Sequence, residues 1–476
     1  MVFIMYLVLS LPALVLGILV GIVSGLTPGI HVNLIASLMV AFYASASLDK
    51  EFALPISIFI VAVSITHAFF DYIPSLFLGI PTDEVYSLLP GQRLIKDGNG
   101  GEALNLSIEG SWRGLKAALF IASLCTLLTV IGVNPIEWVE KLIKPVLFWI
   151  LLIASAVLII TEKNRLAAGL LFLLSGIFGI IILGTPLIPG GSSAAFGVLF
   201  PALSGLFGIS GLLQTLSEKT ASLPPQNKNI KLNLPESQIN KGSWIGTLSG
   251  MAVGLLPGLG AANAATLALL FIGNQETSDR SRLYIVITSA IQSSDALFGI
   301  AALYFINKSR SGASVAINSI IGDLDSWITM ILILMGMGIA GFLSRKLLLK
   351  TWRPLTSVID DLDYKSLTIA IIVFITTLVL ISTGIWGLLI LVAGSCLGLL
   401  PSIFQVRKSQ MMGLFLVPVL LFFSGYQDTV VSFFALEGQS SPPVNSSLSE
   451  ISIFLLISVI IAISSYFINS KFQRNT

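Results

Sequence analysis

Residues 17–29 read GILVGIVSGLTPG, and residues 246–258 read GTLSGMAVGLLPG. Gly17, Gly21, Gly25, Leu26, Pro28 and Gly29 fall in register on Gly246, Gly250, Gly254, Leu255, Pro257 and Gly258. Glycine at every fourth position leaves a stripe without side chains down one helix face. In lipid such a stripe lets a second helix approach closely, because packing and not hydrophobic force holds helices together there. Each stripe runs into a Pro-Gly pair, where a helix must break and free backbone N–H and C=O groups. Two further pairs of segments match in the same order along the chain. GLLFLLSG at 169–176 meets GLLILVAG at 387–394, and FGVLFPAL at 196–203 lies more loosely beside MGLFLVPVL at 412–420. Matches in one order predict two related repeats, residues 1–211 and 243–476, joined by a polar linker at 212–242 that holds three prolines.

The surrounding composition fixes the setting. Of 476 residues 55% are hydrophobic and only 11% charged, against roughly 25% charged in a soluble domain. The mean hydropathy is +0.94, and apolar runs of membrane-spanning length recur throughout. The chain is therefore expected to be an all-α, multi-pass protein of the cell membrane, with about 12–14 spans, some of them broken or re-entrant at the Pro-Gly motifs. The first apolar segment lacks a basic leader and is too long for a signal-peptide core, so it reads as the first span. A net charge of +2 argues against nucleic acid as a partner. Cys125 and Cys396 lie in separate apolar stretches and read as small buried hydrophobes, not as a disulfide or a metal site.

Backbone groups freed at membrane depth are tolerated only inside protein or facing a wet cavity. Transporters place paired breaks of this kind around a substrate near the bilayer midplane. The half-helix after each Pro-Gly pair would present N–H donors and partial positive charge, suited to a carboxylate or phosphate oxygen. Polar side chains gather at the same places. Thr27, Pro28, Gly29, His31 and Asn33 in the first repeat, and Pro257, Gly258, Gly260 and Asn263 in the second, are the candidate substrate-binding residues. A Pro-Gly pair can also simply end a helix at the membrane surface, and a lone histidine can be a hydrogen-bonded core residue.

Two later regions carry ionisable groups in apolar sequence, SITHAFFDYIPSLFLGIPTDEV at 64–85 and SAIQSSDALFGIAALYFINKSRSG at 289–312. A carboxylate inside a membrane costs several kcal/mol unless paired, protonated or hydrated, which makes it a functional candidate by default. Asp71, Gln292, Ser293 and Asp295 are the candidate ion-coupling residues, able to supply oxygen ligands to Na⁺ or a carboxylate to a proton. The competing reading places Asp71 or Asp295 at a helix end as a solvated cap. Asp83 and Glu84 precede a polar stretch and read as solvated.

The glycine-rich stretch at 90–116 has no P-loop pattern and reads as a loop, its basic residues suggesting the cytoplasmic side. RKLLLKTWR at 345–353 reads as a second basic loop. Neither H-E-x-x-H nor G-x-S-x-G occurs, and the aspartates lack the setting of an intramembrane protease, so an enzyme is not expected. No cofactor and no metal site is expected beyond a coupling ion.

With these residues in view, the sequence resembles the TctA family, the large permease of tripartite tricarboxylate transporters, in its divergent archaeal-type DUF112 branch. The resemblance rests on GIVSGLTPGIHVNLIA, FLGIPTDEVYSLLPGQRLIKDGNGGEAL, GTLSGMAVGLLPGLGAANAA, SSDALFGIAALYFINKSRSGASVAI and GLLPSIFQVRKSQMMGLFLVP, which span most of the chain in family order. It implies an ion-coupled carrier of small organic anions, embedded in the lipid bilayer. It also implies two partners used by bacterial members, a small membrane subunit and an extracytoplasmic solute-binding protein. The chain departs from the bacterial pattern at Pro81, Thr82, Asp83 and Glu84, and again at Ser289–Gly312, where a glutamate- and asparagine-rich stretch and an L-G-I-P-G-S motif are replaced. The expected function is a secondary active transporter of small organic anions such as carboxylates, working by alternating access between the repeats. The alternatives are a transporter or flippase of a lipid-linked polyprenyl phosphate, and a structural or assembly subunit.

Overall fold

A computed structural model describes residues 2–27, 30–77, 90–184, 194–217, 226–227, 232–256, 264, 268, 277–322, 324, 326–361 and 364–433. Pro28, Gly29, Asp83, Glu84, Pro257, Gly258, Gly260 and Asn263 lie outside the described residues. Among the described residues every regular element is helical. Among the described residues nine helices are long and apolar enough to cross a membrane, and two further apolar helices are shorter. The protein is thus an all-α, multi-pass membrane protein.

The helices form two compact units. The first holds α1 (Val2–Leu26), α2 (Val32–Ser45), α3 (Ala53–Phe70), α4 (Tyr72–Phe77), α5 (Pro90–Lys96), α6 (Gly100–Val130) and α7 (Pro135–Ile143). It also holds α12 (Glu236–Leu255), α13 (Thr277–Ile306), α14 (Gly312–Ile321) and α15 (Trp327–Asp361). The second holds α8 (Leu147–Ile160), α9 (Arg165–Gly184), α10 (Ala194–Leu203), α11 (Ser210–Ser217), α16 (Tyr364–Ile403), α17 (Gly413–Ser424) and α18 (Gln427–Phe433). Each half of the sequence supplies helices to both units.

In the first unit the two glycine stripes are the seams of two helix pairs, α1 on α3 and α12 on α13. A Cβ on Gly17 would lie 2.6 Å from the Phe59 carbonyl oxygen, and one on Gly21 2.7 Å from the Thr66 Cβ. The partner stripe is as tight: a Cβ on Gly246 would lie 2.6 Å from the Ile287 carbonyl oxygen, and one on Gly250 2.6 Å from that of Ile291. Only glycine permits backbones to approach so closely. In the second unit the matched segments pack crosswise. The α9 segment from the first half lies on α17 from the second, and α10 from the first lies on α16 from the second.

The glycine-rich stretch at 90–116 is helical, not a loop: α5 and α6 cover most of it. Its glycines seat α13, since a Cβ on Gly114 would lie 2.7 Å from the Ala290 Cα. A buried ion pair anchors the same interface, with Arg282 Nε on Glu102 Oε1 at 2.9 Å and Arg282 Nη2 on Glu102 Oε2 at 3.0 Å. RKLLLKTWR is likewise helical, inside α15.

The polar stretch between the halves is partly helical. Helix α11 extends to Ser217, and α12 opens at Glu236 directly after Pro235, whose fixed φ suits a helix entrance. Between those helices Gln226, Asn227 and Asn233 bond to α5, α6 and the turn that joins them. The Gln226 side chain accepts from the Gly100 N–H at 2.8 Å and donates to the Ile95 carbonyl at 3.1 Å. The Asn227 N–H donates to the Gly98 carbonyl at 2.8 Å. Asn233 donates its backbone N–H to Glu102 Oε1 at 2.8 Å.

Candidate functional site

Helix α1 ends at Leu26 and α2 begins at Val32, so the chain leaves the helix in the polar stretch flagged from sequence. The Thr27 hydroxyl turns back on its own helix, donating to the Val23 carbonyl at 2.8 Å. The Asn33 N–H donates to His31 Nδ1 at 3.3 Å, a long bond. At 14 residues α2 is about 21 Å long at about 1.5 Å per residue, short of the hydrocarbon thickness. The second Pro-Gly pair lies just past the end of α12, whose last turn gives way to extended backbone at Leu256.

Beside the first break the structure gathers polar groups from three helices of the same unit. His67, on α3, is only 7% exposed. Its Nδ1 lies 3.1 Å from the Ser24 hydroxyl on α1, and its ring centroid stands 5.7 Å from that of His31, edge to face. Asp71, at the end of α3, accepts from Gln292 Nε2 of α13 at 3.4 Å and from the Ser75 hydroxyl. The next residue, Tyr72, hydrogen-bonds Thr288, one turn before Gln292 on the same helix. Thus His31, Asp71 and Gln292, predicted separately from sequence, come together.

Two predicted residues sit differently. Ser293 is fully buried and donates to the Ser111 carbonyl of α6 at 3.0 Å, on a different helix face from Gln292. Asp295 is half-buried, and among the described residues no hydrogen bond or ion pair reaches its carboxylate. The two aspartates are not in matching positions. The Asp71 amide lies under Gly25, the last glycine of its stripe, whereas the Asp295 amide lies under Gly250, the middle one. The position opposite Gly250 on α13 matches the one opposite Gly21 on α3, a turn before Asp71.

Sequence reasoning missed His67 and Ser24 as a pair. A histidine in apolar sequence has many explanations, and Ser24 lies inside the glycine stripe, where it reads as one more small packing residue. No group of three or more histidines, cysteines or carboxylates suited to a metal ion occurs among the described residues. The cysteines are free, Cys125 being buried and Cys396 half-buried.

An uncharacterized protein of Methanocaldococcus jannaschii is 28% identical over 423 residues, covering 87% of this chain and 99% of its own length. No solved structure matches the chain. The sequence model of the tripartite tricarboxylate transporter TctA family matches residues 11–413. With that match over most of its length and its many membrane-crossing helices, this chain belongs to the TctA family of membrane permeases.

Proposed function

We propose that this permease is a secondary active transporter of small organic anions such as carboxylates, coupled to an ion and working by alternating access between its two sequence repeats. The observation that carries the reading is the meeting of Ser24, His31, His67, Asp71 and Gln292 beside the α1–α2 break. Such a cluster is costly in a membrane unless it serves a pathway. The broken segment gives it a means of holding an anion. The N-terminal end of α2 and the Asn33 side chain offer donors, Thr27 joins them when its hydroxyl turns from the Val23 carbonyl, and the α2 dipole favours negative charge at that end. Pro28, Gly29, Pro257, Gly258, Gly260 and Asn263 complete the proposed binding set by analogy of sequence between the repeats. Asp71, Gln292 and Asp295 are assigned to ion coupling, Asp295 because its carboxylate is unclaimed among the described residues. A small membrane subunit and an extracytoplasmic binding protein are the proposed partners, on the strength of the family alone.

The test is uptake of radiolabelled citrate, succinate and malate into proteoliposomes holding the purified protein, under imposed Na⁺ or pH gradients. Gradient-driven accumulation of at least one carboxylate is expected. Failure of every carboxylate under both gradients, with the protein shown folded, defeats the reading.

A further inference from the structure

We propose that His67 is the group that takes up a coupling proton, at Nε2, so that the coupling ion is H⁺. This deepens the carrier reading above and rests on it.

Ser24 decides the tautomer of His67. A serine hydroxyl has one proton to donate. The Ser24 hydroxyl donates to the Gly21 carbonyl at 3.2 Å, a bond along its own helix that keeps its proton occupied. With that bond kept, its contact with His67 Nδ1 at 3.1 Å runs the other way, with the imidazole Nδ1–H donating and the serine oxygen accepting. Neutral His67 is therefore the Nδ1–H tautomer, and Nε2 is its lone-pair nitrogen. Among the described residues no hydrogen-bond donor occupies that nitrogen. The imidazole gains a proton there without breaking its bond to Ser24.

His31 is set up in the opposite sense. Its Nδ1 accepts the Asn33 N–H, so neutral His31 carries its proton on Nε2, and protonation at Nδ1 would break that bond. Of two neighbouring rings, one is arranged to accept a proton and the other to remain neutral. These are the only two histidines of the chain.

Few ionisable groups surround the two rings. His31 is in ring contact, and Asp71 lies one turn farther along α3. Among helices packed against α3, α13 brings Asp295 beside Gln292. Helix α15 brings Arg345, which is tied to Glu109 of α6 at 2.6 Å, and Arg113 also pairs with Glu109. Helix α4 brings Tyr72 and α2 brings Tyr43, while α1 and α14 bring no acidic or basic side chain. Asp71, with no cation bound to it among the described residues, thus shares the neighbourhood of the two neutral imidazoles. Adding a proton to His67 lowers the negative charge that would otherwise repel an organic anion at the break. Proton uptake then precedes anion uptake, and both leave together on the other side.

Nitrogen-15 NMR of the full-length protein, labelled at histidine and held in lipid nanodiscs, reads the tautomers directly. His31→Gln assigns the two spin systems. The expected result is an Nδ1–H tautomer for His67 and an Nε2–H tautomer for His31, with His67 gaining its second proton first as pH falls. An Nε2–H tautomer for His67, or earlier protonation of His31, overturns the proposal. Ser24→Ala, which leaves both rings in place, is expected to shift His67 towards the Nε2–H form, and an unchanged spectrum counts against the bond. In proteoliposomes free of Na⁺, acid-outside gradients should drive carboxylate uptake. His67→Gln, fixed in the uncharged form, should cut that response by about tenfold or more and leave the residual carboxylate exchange at equal pH without its rise as pH falls. Uptake driven by Na⁺ alone and unchanged in His67→Gln defeats the proton assignment but leaves the carrier standing. Uptake of no carboxylate under any gradient defeats both.

Discussion

The pair α1/α3 and the pair α12/α13 share one seam and differ in what it carries. Both are closed by glycines spaced four apart, with backbones so near that a Cβ would sit within 2.6–2.8 Å of its neighbour at Gly17, Gly25, Gly246 and Gly254. On α3 the last turns before the helix end hold His67 and Asp71, and both are engaged, by Ser24 and by Gln292. On α13 the corresponding stretch holds Asp295, whose carboxylate has no partner among the described residues. The scaffold repeats while the chemistry does not. Close packing constrains backbone, and the polar positions beside it are free to diverge.

The two seams should tolerate change least of all. Gly21→Leu and Gly250→Leu each force a side chain into space held by Thr66 and Val63 in one pair and by Ile291 and Ser294 in the other. Both should destabilise by about 3 kcal/mol or more, at or beyond the upper end for overpacked cores, because backbone must move. Unfolding followed by tryptophan fluorescence in detergent measures this. A large loss from one substitution and none from the other would end the claim that the two seams are equivalent.

The carboxylates should respond with opposite signs. Asp71→Asn weakens the bond from Gln292 and should cost about 1 kcal/mol. Asp295→Asn gives up no described bond and removes a half-buried charge, so stability should hold or rise by up to about 1 kcal/mol. Thermal unfolding of the two variants side by side gives the sign. Equal losses would mean that Asp295 is as firmly held as Asp71.

The smallest effect belongs to Ser24→Ala. It removes one hydrogen bond between α1 and α3, about 0.6 kcal/mol on average for such bonds in membrane proteins. The same substitution leaves α12/α13 untouched. Hydrogen exchange resolved by helix should loosen the first pair and leave the second at its original protection.

The seams and the break were readable in the sequence because they are made of glycine and proline, which act through backbone geometry. The glycine-rich stretch before Lys116 misled for the same reason. Glycines there suggested a loop, yet Gly110 and Gly114 are helical and exist to admit α13, a partner more than 150 residues away that no local pattern announces. Asp71, Gln292 and His31 stood out because polar groups are rare in apolar sequence. Their meeting, and the role of Ser24, depended on which faces of α1, α3 and α13 turn together. Ser293 shows the cost of ignoring face: adjacent to Gln292 in sequence, it points its hydroxyl into α6.

The bonds from Gln226, Asn227 and Asn233 to α5 and α6 bear on how the two halves could ever be handled as separate polypeptides. A join that only tethers can be cut and its ends left loose. Here the joining segment closes the free N–H of Gly100 and shares Glu102 with Arg282, so it completes the first half while belonging by position to the second. A gene split between Ser217 and Gln226 would leave that completion on the downstream product. The upstream product should then be short-lived when made alone and rescued by coexpression, as an insertion partner waiting for its missing edge.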